Sequence, residues 1–177
     1  MKTIKLICLI SFWLVATASA VEDPGLQEDC RCATVDVASS IPDGSSSSEK
    51  YVQEIYLLLE DWRDAVRDGN TEAITKLVTE DAEFWSQGSP PLIGRAALAD
   101  AFAPFFENFI FLQDYECHEL IIRGDRAFMR GIERNKRIPR AGGNTVIVQQ
   151  RAFSVLRRSV DGQWRFARGM TNQPPEE

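Results

Sequence analysis

Histidine is nearly missing from this chain of 177 residues. His118 is the only one. Zinc and other imidazole-dependent metal sites need several such ligands, so a metal centre is not expected. Basic residues are also in deficit: 20 Lys and Arg stand against 26 Asp and Glu, a net charge of −6. Nucleic-acid affinity rests mainly on clustered Lys and Arg, so an acidic chain is a poor candidate for binding DNA or RNA. Long apolar runs are absent except at the start. Hydrophobic residues at 44% and charged residues at 26% are ordinary for a soluble globular protein and exclude a wholly disordered or many-span chain.

The one apolar run, Leu6 to Val15, follows Lys2 and Lys5 and precedes Ala18-Ser19-Ala20. That is the layout of a secretory signal peptide with cleavage before Val21. The run is short for a membrane span and lacks a basic stop-transfer flank, so no stable span is expected after cleavage. Cys8 lies inside the run, not at its end, which argues against a lipoprotein. The expected location is secreted or periplasmic. Without residues 1–20 the chain holds 18 basic and 26 acidic residues, net −8.

Cys30, Cys32 and Cys117 then remain. An exported protein can form disulfides, but three is odd, and Cys30-Arg31-Cys32 is too close for an easy mutual bridge. The reading favoured here is unpaired cysteines in a loose tail. Residues 21–48 carry six acids, one Arg, Pro24-Gly25, Pro42-Asp43-Gly44 and four successive serines. With few large apolar side chains to bury, they read as a disordered acidic leader. The folded domain is expected over 49–177.

Three helices come first. Val52, Ile55, Tyr56, Leu59, Trp62 and Val66 recur at helical spacing, with Ser46 and Glu49 placed as a capping box. Gly69-Asn70 separates this helix from a second, bearing Ala73, Ile74, Leu77 and Val78. Ala82 to Trp85 reads as a short strand, and Pro90-Pro91 breaks the chain. A third helix follows Gly94, with Pro104 expected to bend it or end it early. Four strands then run over 110–122, 126–138, 144–158 and 163–172, separated by Gly-containing turns. Helices followed by strands argue an α+β domain with helices on one face of an antiparallel sheet.

This order carries a resemblance. Trp62-Arg63-Asp64-Ala65 with Asp68-Gly69-Asn70, Leu77 to Ala82, Ile93 to Leu98, Val155 to Arg158 and Asp161 to Arg165 together resemble the nuclear transport factor 2-like superfamily, in its SnoaL-like and ketosteroid-isomerase-like branch. The resemblance spans about Tyr51 to Asn172. It implies a cone, a strongly curved antiparallel sheet wrapped around three helices with a pocket at the open end. It implies no single function, because the superfamily includes isomerases, cyclases, epoxide hydrolases, dehydratases, oligomerisation modules and binding domains.

The isomerase branch places a Tyr donor on the first helix and an Asp base on the strand after the second. In this chain Trp62 and Ser86 stand at those positions. An indole is no phenol, and a neutral Ser is no base by itself, so steroid isomerase chemistry is disfavoured.

Strand alternation suggests which polar groups face the pocket. Trp164, Phe166, Arg168, Met170 and Asn172 share parity, which puts Arg168, Met170 and Asn172 inward unless a bulge reverses them. Arg151 shares parity with Phe153. His118 shares parity with Leu120, and Glu116 lies two residues away, so His118 is the candidate acid/base. Trp62, Trp85, Phe102 and Phe106 are the candidate apolar walls. Residues 49–119 hold 5 basic and 15 acidic residues, whereas 120–177 hold 12 and 5. Mutual attraction of an acidic helical layer and a basic sheet explains that better than a nucleic-acid surface. Three functions stay open. One is an exported domain binding a small apolar or weakly anionic molecule through Arg168, Asn172 and Arg151. Another is a lyase, isomerase or hydrolase on a carbonyl or epoxide, using His118. The third is a module that dimerises through the sheet. No cofactor is expected.

Overall fold

The computed structural model describes residues 31–38 and 45–174. The expected signal peptide, Cys30 and most of the expected leader lie outside them. The elements are β1 (Thr34–Val37), α1 (Ser45–Arg67), α2 (Thr71–Lys76), β2 (Val78–Ser86), β3 (Leu92–Ile93), α3 (Gly94–Asn108), β4 (Phe109–Arg123), β5 (Arg126–Pro139), β6 (Val146–Arg158) and β7 (Trp164–Asn172). One curved, open sheet carries them in the order β1-β4-β5-β6-β7-β2-β3. The α+β class and the cone are as expected from the sequence. The sheet is mixed, however, and not wholly antiparallel. β4 to β7 pair antiparallel, while β1 lies parallel to β4 and β2 parallel to β7. Only strands joined by short turns are forced antiparallel, and these two pairs are joined by long connections.

The first helix ends where the sequence placed its end. Gly69 has φ +64, Asn70 N–H donates back to Ala65 O at 2.8 Å, and Asn70 Oδ1 caps α2 by accepting from Ala73 N–H at 3.0 Å. Ile55, Leu59 and Val66 of α1 are buried against Leu120 and Ile122 of β4, Met129 of β5, Leu156 of β6 and Phe166 of β7. The third helix does not stop at Pro104; it continues to Asn108. Asn108 Nδ2 donates to Pro104 O at 2.7 Å in the last turn.

Two features of the strands differ from expectation. First, Cys32 and Cys117 form a disulfide, with Cα atoms 4.4 Å apart. The alternating Thr34-Val35-Asp36-Val37 pairs with Glu119 to Ile122 of β4, so this part of the expected leader is an edge strand and Cys32 is bridged. Second, two bulges alter side-chain direction. In β4 the register moves from Cys117↔Gly131 to Glu119↔Arg130, leaving His118 as the extra residue. In β7 it moves from Val155↔Arg168 to Leu156↔Phe166, leaving Ala167 extra.

Candidate functional site

Cross-strand partners share a face of the sheet, so the register names the residues inside the cone. From β4 these include Gln113, Tyr115 and Cys117. Opposite them on β5 stand Asn135, Glu133 and Gly131. Gln150 of β6 stands opposite Glu133. Asn135 and Gln150 are buried. Above this strip lies Trp62 of α1, whose ring centroid is 4.9 Å from Phe166 and 6.3 Å from both Phe84 and Phe102. Phe102 in turn stacks on Phe106 at 5.2 Å.

A chain of hydrogen bonds joins the polar groups. Trp62 Nε1 donates to Gln113 Oε1 at 2.7 Å, Gln113 Nε2 donates to Asn135 Oδ1 at 2.9 Å, and Asn135 Nδ2 donates to Gln150 Oε1 at 3.2 Å. Glu133 Oε2 lies 3.5 Å from Gln113 Nε2 and 3.4 Å from Asn135 Nδ2. The side chain of Glu133 is half-buried, and loss of water around its carboxyl raises its pKa; the Asn135 hydrogen bond opposes this more weakly. Burial likewise raises the Tyr115 phenol, with the nearby Glu133 charge adding to it. Tyr115 Oη is buried without a hydrogen-bond partner. Further along the same face, the Arg137 guanidinium lies 5.7 Å from the centre of the Phe105 ring, and burial lowers its pKa. The inner face of the cone thus sets amides, a phenol and a carboxyl beside a group of aromatic rings.

Of the residues singled out in the sequence, Trp62, Phe102 and Phe106 come together inside the cone. The others do not. The bulge at Ala167 keeps Trp164 and Phe166 inward but turns Arg168, Met170 and Asn172 outward. Arg168 lies instead beside acids, with Nη2 3.6 Å from Asp81 and Nε 3.8 Å from Glu83. Arg151 is exposed, because the inward residues of β6 are Gln150, Ala152 and Leu156, the opposite parity. Trp85 is exposed and donates to Glu83 Oε1 at 2.7 Å; its neighbour Phe84 provides the wall. Ser86 lies at the rim, its hydroxyl 3.4 Å from Thr171 Oγ1.

The β4 bulge also puts His118 on the outer face, the side opposite the cone. The expected pairing with Glu116 is present, His118 Nε2 being 3.0 Å from Glu116 Oε1. Arg134 Nη2 donates to the other oxygen of Glu116 at 2.6 Å, and this contact, ahead of the His118 bond, lowers the Glu116 pKa. The uneven charge is used in cross-pairs. Arg157 forks onto Asp81, Arg158 lies 3.7 Å from Glu54, and Arg95 lies 4.0 Å from Glu80. Among the described residues no cluster of three His, Cys, Asp or Glu is placed to hold a metal, and no helix is long and apolar enough to cross a membrane.

Gln113, Tyr115, Glu133, Asn135 and Gln150 were missed by sequence reading. Sequence offers little signal for them, because Gln113 and Tyr115 stand in the polar stretch Gln113-Asp114-Tyr115-Glu116, and Glu133 and Asn135 in Glu133-Arg134-Asn135-Lys136-Arg137.

The model of the SnoaL-like domain family matches residues 59–167, which include every residue of this network. The chain belongs to the SnoaL-like family. Its fold is shared with a nuclear transport factor 2-like protein among its structural neighbours. A ketosteroid isomerase-like protein from Erwinia carotovora atroseptica is 24% identical with a TM-score of 0.61, the match covering 70% of this chain and 96% of that one. A nuclear transport factor 2-like protein from Salmonella enterica is 14% identical with a TM-score of 0.64, covering 75% and 95%. A candidate scytalone dehydratase from Novosphingobium aromaticivorans is 16% identical with a TM-score of 0.64, covering 73% and 88%. At these identities the structures establish the fold. No curated protein matches the sequence.

Proposed function

We propose that this SnoaL-like domain is an exported protein that binds a small, largely apolar molecule inside the cone. The observation that carries the reading is the linked row Trp62–Gln113–Asn135–Gln150 set among aromatic rings. Ligand sites are mostly apolar with a few convergent polar groups, and this row has that composition. Export is supported by the N-terminal pattern and by the Cys32–Cys117 bridge, since disulfides persist in oxidising compartments. Arg168, Asn172 and Arg151 have no part in this binding, because they lie on the outer face. The test is native mass spectrometry of the protein purified from an oxidising compartment. A retained small molecule, lost in Trp62→Ala at unchanged fold, supports the reading. Wild-type protein that retains nothing and binds no apolar probe overturns it.

A turnover function on the same site is a closely related alternative, favoured by the half-buried carboxyl of Glu133 and by neighbours bearing isomerase-like and dehydratase names. His118 has no place in it.

A second reading concerns the outer face. Trp85, Met170 and Phe153 are successive partners in register across β2, β7 and β6, and they are 53%, 49% and 42% exposed. Such an apolar row on a sheet face suits a second copy related by a two-fold axis, which lays the row on itself. Sedimentation velocity on the wild type and on Met170→Glu tests it. A wild-type dimer that the variant dissociates supports the reading, and a wild-type monomer at high concentration ends it.

A further inference from the structure

The strand β1 is the element that the rest of the fold needs least. Residues 59–167, the stretch matched by the SnoaL-like family, include Cys117 but neither Cys32 nor β1. Among the described residues, none of the buried core side chains comes from 31–38. Only Cys32 and Val37 of that segment pack against the core, and both are half-buried. Thr34, Val35 and Asp36 are exposed. β1 covers Glu119 to Ile122, a short part of β4, whereas β5 pairs with β4 from Phe109 to Arg123 apart from the bulge at His118. β4 therefore has its neighbour and its core contacts without β1.

What fastens β1 is chiefly covalent. Ala33 N–H donates to Cys117 O at 2.9 Å, Ala38 N–H donates to Ile122 O at 3.2 Å, and Thr34 Oγ1 donates to His118 O at 3.0 Å. Asp36 meets Arg123 at 2.6 Å in an exposed ion pair. Bonds in such exposed positions compete with water and stabilise little. The Cys32–Cys117 bridge does not. Its two sulfurs are unequally placed. Cys117 is 3% exposed and stands opposite Gly131, where a Cβ would press on the Glu116 carbonyl and the Tyr115 ring, so β4 is held close against β5 at this point. Cys32 is half-buried in the outermost segment of the sheet. A thiolate arriving from solvent meets the Cys32 sulfur first, and access decides which sulfur of a disulfide is attacked.

We propose that the Cys32–Cys117 bridge is a redox-cleavable clasp, opened by an external dithiol at Cys32, and that opening it releases β1 from β4 while the rest of the domain stays folded. The thiolate of the dithiol attacks Cys32 Sγ. The Cys32–Cys117 bond breaks, and its electron pair leaves on Cys117 Sγ, which takes up a proton. The second thiol of the reagent then attacks the mixed disulfide, forms the reagent's own disulfide and frees Cys32 as a thiol. Two electrons and two protons pass from the dithiol to the bridge. The backbone edge of β4 from Cys117 to Ile122 is then bare, beside the bulge at His118. A bare edge is a template for pairing with a further strand, so the clasp decides whether that edge is covered from within the chain or offered outward. This inference is independent of what the cone binds.

The test uses the full chain with Cys8→Ser and Cys30→Ser, so that Cys32 and Cys117 are its only cysteines. It is oxidised first and kept well below its melting temperature. Hydrogen–deuterium exchange by mass spectrometry is followed before and after dithiothreitol. Reduction is expected to lower protection over residues 33–38 by at least about 10-fold and to leave the β5–β6 ladder as it was, the pattern of a local opening. Adding Cys32→Ser should give the same open state with no reductant present. Brief treatment of the oxidised protein with glutathione, followed by N-ethylmaleimide, should place glutathione on Cys32 and the maleimide on Cys117. A bridge that is reduced only once the domain melts overturns the proposal. So does exchange over 33–38 that reduction leaves unchanged, or that rises only together with exchange in β5 and β6. Glutathione found mainly on Cys117 overturns the attack at Cys32.

Discussion

Reducing the Cys32–Cys117 bridge tests the largest departure of this structure from its sequence. From composition, removal of residues 21–48 is expected to leave the melting temperature unchanged. The structure reverses that expectation. The bridge spans 85 residues of sequence and fastens β1 to β4 directly beside the bulge at His118. Loop-closure entropy for a ring of that length is about 4.6 kcal/mol at 25 °C. Loss of the bridge also loosens β1, whose contacts include Thr34 Oγ1 donating to His118 O at 3.0 Å and Cys32 N–H donating to Tyr56 Oη at 3.2 Å. Residual structure in the unfolded chain offsets part of the entropy term, so about 3–4 kcal/mol is the working figure. For a domain of this size it lowers the midpoint by roughly 10–15 °C. Thermal melts followed by circular dichroism, with and without a phosphine reductant, measure this directly. Cys32→Ser should reproduce the reduced value and be insensitive to reductant. A fall of less than about 2 °C in both would refute the reasoning, because it would mean that the bridge constrains nothing the fold depends on.

Gly131→Ala places a methyl against the Glu116 carbonyl and the Tyr115 ring and should cost about 1–3 kcal/mol in urea unfolding, an unchanged midpoint counting against the packing described. Asp81, held by Arg157 to a pKa of about 2, contributes stability that is full above the ordinary carboxylate range and is lost as pH falls toward that value. Because the pair is partly exposed, this contribution is at most about 1 kcal/mol. Urea titrations between pH 6 and 2 should show it in the wild type and not in Asp81→Asn. Arg168→Met should leave probe affinity unchanged and shift stability by no more than about 0.5–1 kcal/mol, since its acidic partners are also partly exposed; a large affinity loss would return Arg168 to the site. His118→Gln should leave probe binding unaltered, and a fall in affinity would contradict its place on the outer face.

The helices, the four long strands and the cone were legible because each rests on a repeated signal. The apolar spacing of α1, the Gly69-Asn70 stop and the Gly-bearing turns agree with one another. Side-chain direction is a different kind of information. It depends on counting residues from a known anchor, and a single extra residue reverses the count. Trp164 and Phe166 anchor β7 correctly, yet Ala167 intervenes before Arg168, so every residue from Arg168 onward was assigned to the wrong face. In β4 the anchor was Leu120, which does face inward, and counting back across His118 carried His118 and Glu116 inward with it. Their proximity was read correctly and their side of the sheet was not. The same count hid the inner network, because Gln113 and Tyr115 lie on the far side of that bulge from the anchor. β1 was concealed for another reason. Four alternating residues within an acidic, serine-rich stretch have no apolar surface to advertise, and they become a strand only because Cys32 holds them against an edge that already exists. The inward direction of Trp62, Phe102 and Phe106 was legible because burial imposes a pattern along the chain, whereas Trp85 proves exposed and Phe84 stands inward in its place. The inner polar row was not legible, because Gln113 and Asn135, like Tyr115 and Glu133, acquire their meaning from being opposite one another, and register across two strands is set by a bulge and a missing Cβ at Gly131 that local sequence does not announce.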